Sequence, residues 1–226
     1  MSKIIIYHGS SKVIKQPLFG EGKKFNDYGR GFYCTKDIEL AKEWACTEDI
    51  QGYANKYELN LIDLKVLDLS NNKYNILNWL AILMENRIVN LSTPLQKQAR
   101  DYLIKNFLPD YKNYDVIIGY RADDAYFSFA RAFVSNEISL SQLNIAMKLG
   151  KLGLQYCLKT KKAFNNLHFI DSIIADNSIY HIKKTNRDNA AKNDYLKELE
   201  NGDLSGTFMR DIITEKMKNG DKRIQF

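Results

Sequence analysis

Histidine is scarce in this chain, three in 226 residues, and one of the three closes the first apolar run, "IIIYHGS", Ile4 to Ser10. A histidine just past a buried strand sits at the lip of a sheet, where its imidazole can hydrogen-bond a ribose hydroxyl. Gly9 beside it has no side chain, so a flat ligand can reach the backbone N–H and C=O. The plain alternative is a structural histidine with its hydrogen bonds satisfied. A second stretch, "NDYGRGFYCT", Asn26 to Thr35, sets two glycines around Arg30 and then an aromatic pair. Phe32 and Tyr33 point to opposite faces if the segment is a strand, one to a core and one into a cleft. Tyr33 then offers an aromatic plane to a ligand ring, and the alternative is an ordinary aromatic strand after a glycine loop.

A third cluster, "GYRADDAYF", places Arg121, Asp123 and Asp124 between a strand and a helix. Either aspartate can cap that helix, whose N-terminus favours a carboxylate. Arg121 can bind a phosphate or pair with one of them. Gln155, in "KLGLQYCLK", opens a later strand and by itself means nothing.

The elements around these residues follow from periodicity. Short strands are expected at Lys3–Tyr7, at "FYCT", at "YANKYELNL", at "LKVLDLS", at "YDVIIGY", at "LQYCLK" and at "LHFIDSIIA". Helices are expected at "KDIELAKEWACTED", "NILNWLAILMENRIV", "TPLQKQARDYLIKNF", "DAYFSFARAFV" and "SLSQLNIAMKLG", with Thr93 and Ser139 as N-caps, Pro94 at a first helical position and Gly150 as a stop. "SSKVIKQPLFGEGKKFNDYGRG" reads as a long loop. Strands in two groups with helices between and after them predict an α+β fold rather than a doubly wound sheet. Residues 1–185 are expected to form one domain with a helical insertion at about 74–112, and 186–226 a charged helical segment.

Several functions are excluded or left bare. Neither "FGEGKK" nor "YGRGFY" completes a G-x-G-x-x-G, and there is no P-loop, H-E-x-x-H or G-x-S-x-G. Cys34, Cys46 and Cys157 are odd in number and far apart, which predicts reduced thiols and no metal site. No apolar window approaches a membrane span and no leader is visible, so a cytoplasmic location is expected. Much of the net charge of +6 is diffuse, with local peaks at Lys159–Lys162, His181–Arg187 and Lys216–Arg223, either as solvated surface or as attraction for a polyanion or nucleotide.

Taken in order, "YHGS", "DYGRGFYCT…AKEWA" and "GYRADDAYF…LGKLGLQYCLKT" resemble a bacterial domain-of-unknown-function family that is itself similar to ADP-ribosyltransferases of the His–Tyr–Glu type. Genes of that family often stand beside a small partner, as in toxin–antitoxin pairs. The resemblance covers roughly Ile4 to Phe169. It implies split β-sheets around a cleft that holds bent NAD, no metal, and transfer of ADP-ribose from NAD to a macromolecule by an intracellular toxin. NAD hydrolysis and a module that binds NAD or ADP-ribose without turnover are the alternatives. It implies that His8 binds the adenosine-side ribose, Gly9 the carboxamide and Tyr33 the nicotinamide ring. Ser10, Arg30, Gly31, Phe32, Thr35 and Arg121 complete the expected NAD-binding set. Gln155 falls where the family type has its glutamate. A neutral amide still accepts a hydrogen bond from a ribose hydroxyl, but brings no charge to a developing cation. That loss is expected to cost about 2–4 kcal/mol, or roughly 10²–10³ in rate, unless another carboxylate takes the role, and Asp123 and Asp124 are the candidates.

Overall fold

The computed structural model describes residues 3–122, 124–200 and 202–225. Strands β1 (Lys3–Ser10), β2 (Phe32–Thr35), β3 (Gly52–Asn60), β4 (Val66–Asp68), β5 (Val116–Tyr120), β6 (Leu154–Leu158) and β7 (Leu167–Ala175) form one mixed sheet in the order β4-β5-β6-β2-β1-β3-β7. Among the described residues its only parallel pair is β4 with β5. Parallel neighbours need a crossover, and the helical block between them is that crossover: α2 (Ile76–Asn86) and α3 (Pro94–Phe107). Asn75 and Thr93 cap these helices, with Pro94 at the first position of α3. In α2 every residue from Ile76 to Met84 is buried, as expected of a helix apolar on all sides.

The sheet alternates between two cores. Ile117 and Cys157 face a large core built with α2, α3, α4 (Asp124–Val134) and α5 (Leu140–Ala146). Val116, Ile118, Tyr156 and Leu158 face a smaller one with Ile6, Phe32, Tyr57 and Ala163 of the short helix α6 (Lys161–Asn165). The charged run at Lys159–Lys162 is therefore not all solvated surface: it leads into α6, and half-buried Lys159 donates to the Tyr28 carbonyl.

The expected pair of sheets is a single sheet here, but barely. All four residues of β2 pair with β6, from Phe32↔Leu158 to Thr35↔Gln155. Toward β1 only Tyr7↔Thr35 is in register. On its other side β1 pairs with β3 along its whole length. The strands on either side of β1/β2 therefore form two well-knit halves joined at one residue pair.

Helix α1 (Ile38–Ala45), capped by Asp37, packs on β1. Across it lies α7, which runs from Asn177 to Glu200, about 36 Å at 1.5 Å per residue. The helix starts nine residues before 186, so the expected boundary at 185/186 falls in its interior. Arg187 Nε reaches Glu43 of α1 at 2.8 Å, Lys183 reaches Glu39 at 3.0 Å, and the Tyr195 ring lies 4.1 Å from that of Phe129. Beyond α7, Met209 and Ile212 of α8 (Met209–Thr214), Met217 and Ile224 are buried in the large core. The C-terminal segment is thus part of the body.

The Arg187–Glu43 pair is nearly buried, at 13% and 9% side-chain exposure. Breaking such a pair strands a charge, whereas replacing both partners by apolar groups does not. Arg187→Ala is expected to destabilise the fold by about 3 kcal/mol in urea unfolding, and Glu43→Leu/Arg187→Met by clearly less.

Candidate functional site

Past Tyr7 the strands β1 and β2 part, and the gap between them is the mouth of a cleft. His8 spans it: Nδ1 lies 2.6 Å from the Tyr33 carbonyl oxygen. A carbonyl only accepts, so Nδ1 carries the hydrogen and Nε2 is left as an acceptor in the neutral ring. Burial holds the His8 pKa below its usual 6.5, opposed by that hydrogen bond. The ring is stacked on Phe32 at 4.2 Å, which fixes its plane.

Tyr33 ties the glycine loop to the sheet. Its hydroxyl donates to Gly29 O at 2.5 Å and accepts from Tyr28 N at 3.0 Å. Gly29 has φ +75°, which a glycine adopts without strain, and the Gly29 N–H closes the turn on Asn26 O at 2.8 Å. The turn carries Asp27 inward, where its side chain is 4% exposed.

Asp27 meets Gln155 there. Gln155 Nε2 donates to Asp27 Oδ2 at 2.8 Å and to the Tyr120 carbonyl at 3.0 Å. Two acceptors on one side settle which end of the amide is nitrogen and leave Oε1 as the acceptor that Gln155 has to offer. The Tyr120 carbonyl also accepts from the Tyr28 hydroxyl at 2.7 Å and from Trp79 Nε1 at 3.0 Å. Asp27 Oδ2 accepts in addition from Ala122 N at 2.9 Å. Arg87 Nε lies 3.1 Å from Oδ1, a charge–charge contact whose N–H is not aimed at the oxygen. Burial raises the Asp27 pKa, and the Ala122 N–H, Arg87, Gln155 and Arg121 all pull it back. Above this floor Arg121 lies over the Trp44 ring, 3.8 Å from its centroid.

Of these, His8, Asp27, Tyr33, Trp44, Arg87, Arg121 and Gln155 line a cavity of about 420 Å³ together with Gly9, Lys23, Asn26 and Lys184. A second lobe of about 450 Å³ adjoins it, and His8, Lys23, Asn26 and Tyr33 wall both. Each lobe falls in the range of small-molecule sites, roughly 300–1,000 Å³. A larger hollow of about 800 Å³ between Lys15–Phe19 and Lys161–Phe169 contains neither His8 nor Gln155. The two-lobed cleft is the candidate site because it gathers the polar groups. Among the described residues no cluster of His, Cys, Asp and Glu could hold a metal, and the three cysteines are free and buried.

Residues 4–169 match the model of a family described as a protein of unknown function (DUF3990). The chain belongs to that family. No curated protein and no solved structure matches it. The match to DUF3990 runs from β1 into β7, so the floor and both lips of the cleft lie inside it, while Lys184 and Arg187 of α7 lie beyond it.

In this DUF3990 chain, His8, Gly9, Tyr33, Arg121 and Gln155 come together in one lobe, and Gly31 and Phe32 line the other. Gly9 differs in its reason. A Cβ there would lie 2.1 Å from Ala41 O, so the missing side chain admits helix α1, while Gly9 also lines the cavity. Arg30 does not reach the cleft: it is exposed, beside a separate pocket with Lys159. Thr35 is buried and accepts from Asp37 N, serving the start of α1. Ser10 accepts from Lys12 N in the following turn. Asp123 lies outside the described residues, as does the side chain of Asp124. The carboxylate beside Gln155 is Asp27, which the sequence reading missed although it stands in "NDYGRG". Arg87 and Trp44 were missed too. Arg87 follows the end of α2, 60 positions from Asp27, with no local pattern to mark it.

Because the folded protein resists protonation of His8 while an unfolded chain takes the proton near pH 6.5, the fold should lose stability as pH falls through 6.5 toward the lower folded pKa. NMR of the imidazole should show the Nδ1–H tautomer at pH 7 and an inflection below 6.5. His8→Gln should remove that part of the acid sensitivity.

Proposed function

We propose that this protein transfers the ADP-ribosyl group of NAD to a macromolecular acceptor, as a bacterial toxin acting in the cytoplasm beside a small antitoxin protein, on an ADP-ribosyltransferase-like fold. The observation that carries the reading is the parting of β1 and β2 after one residue pair, with His8 and Tyr33 on its two lips and the Gln155 amide fixed beneath. The near-division of the sheet supports the split-sheet fold, and the two lobes suit a dinucleotide folded at its middle.

In this reading His8 Nε2 accepts from a hydroxyl of the adenosine ribose. The Tyr33 ring lies against nicotinamide, and Arg121 and Lys23 stand where a pyrophosphate would draw cations. Trp44 Nε1 is a buried N–H in the cleft wall with no protein acceptor among the described residues. Gln155 Oε1 accepts from the 2′-hydroxyl of the nicotinamide ribose. The bond from C1′ to the pyridinium nitrogen breaks, and its electron pair leaves with neutral nicotinamide. A lone pair of the acceptor then bonds to C1′ and the acceptor loses its proton. If water takes that place, the protein is an NAD glycohydrolase. The neutral amide at 155 favours one further reading, a module that binds NAD without consuming it.

Purified protein with NAD labelled on the adenine side, with and without bacterial lysate, tests this. Label entering a macromolecule together with free nicotinamide supports transfer. Nicotinamide without incorporation means hydrolysis, and neither, with NAD still bound, means a binding module. Gln155→Ala is expected to slow nicotinamide release by about 10²-fold.

A further inference from the structure

We propose that Asp27 is a positioning residue that supplies, through the Gln155 amide, the negative charge that a carboxylate at position 155 would otherwise bring to the site. The inference rests on the NAD reading above and deepens it. When the C1′–nitrogen bond breaks, positive charge gathers on C1′ and the ring oxygen of the ribose. A group accepting from the 2′-hydroxyl is well placed to stabilise that charge, and a lone amide does it poorly. Gln155 is not a lone amide. Its Nε2 donates to Asp27 Oδ2 at 2.8 Å, and an N–H bonded to an anionic oxygen polarises its own carbonyl toward greater negative charge on Oε1. The second N–H is spent on the Tyr120 carbonyl, so the amide cannot turn.

The surroundings hold Asp27 in place and counter part of the cost of burying its charge. Oδ2, the oxygen nearer Gln155, also takes the Ala122 N–H. Arg87 sits at the other oxygen, 3.1 Å from Oδ1, and its guanidinium is held by the Ala122 carbonyl and against the Phe127 ring at 5.0 Å. Arg87 opposes, from the side away from the amide, the burial that on balance raises the pKa of the carboxyl. Both Asp27 and Gln155 are 3% exposed, where little water screens the charge.

The test is an exchange of the two groups: wild type, Asp27→Asn, Gln155→Glu and Asp27→Asn/Gln155→Glu, each followed by nicotinamide release, NAD binding by calorimetry and thermal unfolding. Asp27→Asn is expected to lower kcat by about 10²-fold with KM for NAD changed less than about threefold. Gln155→Glu alone sets two carboxylates in contact, one of which must take a proton, and should not exceed wild type. The double variant returns a charge to the pair with an amide as its partner, and should recover at least about tenfold over Asp27→Asn. Full kcat in Asp27→Asn would overturn the inference and leave the NAD reading standing. So would a folded double variant no faster than Asp27→Asn, since Asp27 would then be scaffold only. A wild-type protein that binds NAD but releases no nicotinamide overturns the inference and keeps the binding reading. One that does neither overturns both.

Discussion

A carboxylate taken out of water has to be answered by whatever surrounds it, and Asp27 is answered from four parts of the chain. Gln155 comes from β6, the Ala122 N–H from the segment after β5, Arg87 from the end of α2, and the turn that carries Asp27 is pinned by Tyr33 of β2. Removing any one partner leaves a buried charge or a buried donor unpaired, and that costs more than the contact itself contributes. The crossover helices, the glycine loop and the central strands are thereby held to one arrangement around a polar centre. The Tyr120 carbonyl, with donors from Tyr28, Trp79 and Gln155, joins the same centre to the large core.

The sheet places that centre at an opening. A strand of four residues cannot pair fully on both sides when its neighbours diverge, and β2 gives its length to β6. What remains toward β1 is one pair, and a histidine side chain takes up the next span across the gap. Helix α1 packs on β1 at Gly9 and brings Trp44 to the cavity wall, where Arg121 lies on its ring. Helix α7 closes over α1 through the Arg187–Glu43 pair and adds Lys184 to the rim. Segments far apart in sequence therefore share one cleft because the same few contacts position them all.

Much of this was legible beforehand. The short apolar run "YDVIIGY" and the strand-like "LQYCLK" were read as strands and became β5 and β6, each covered on both faces. "NILNWLAILMEN" and "TPLQKQARDYL" carried both helical spacing and caps, and became α2 and α3. The start of α7 was misjudged because "NSIYHIKK" has no sharp apolar periodicity: the helix is stabilised by ion pairs with α1 that only folding brings near.

The sequence by itself determined the element types, the long loop before Phe32, and the nomination of His8, Tyr33 and Arg121, because residue type and local spacing are properties of short segments; Gln155 was nominated only through the family resemblance. Tertiary structure alone decided that the carboxylate beside Gln155 is Asp27, 128 positions away, and that Arg30 and Thr35 are elsewhere. It also decided why residue 9 is glycine. Those answers depend on which segments meet, and a buried charge selects its partners by distance and desolvation, neither of which is written in the order of the residues.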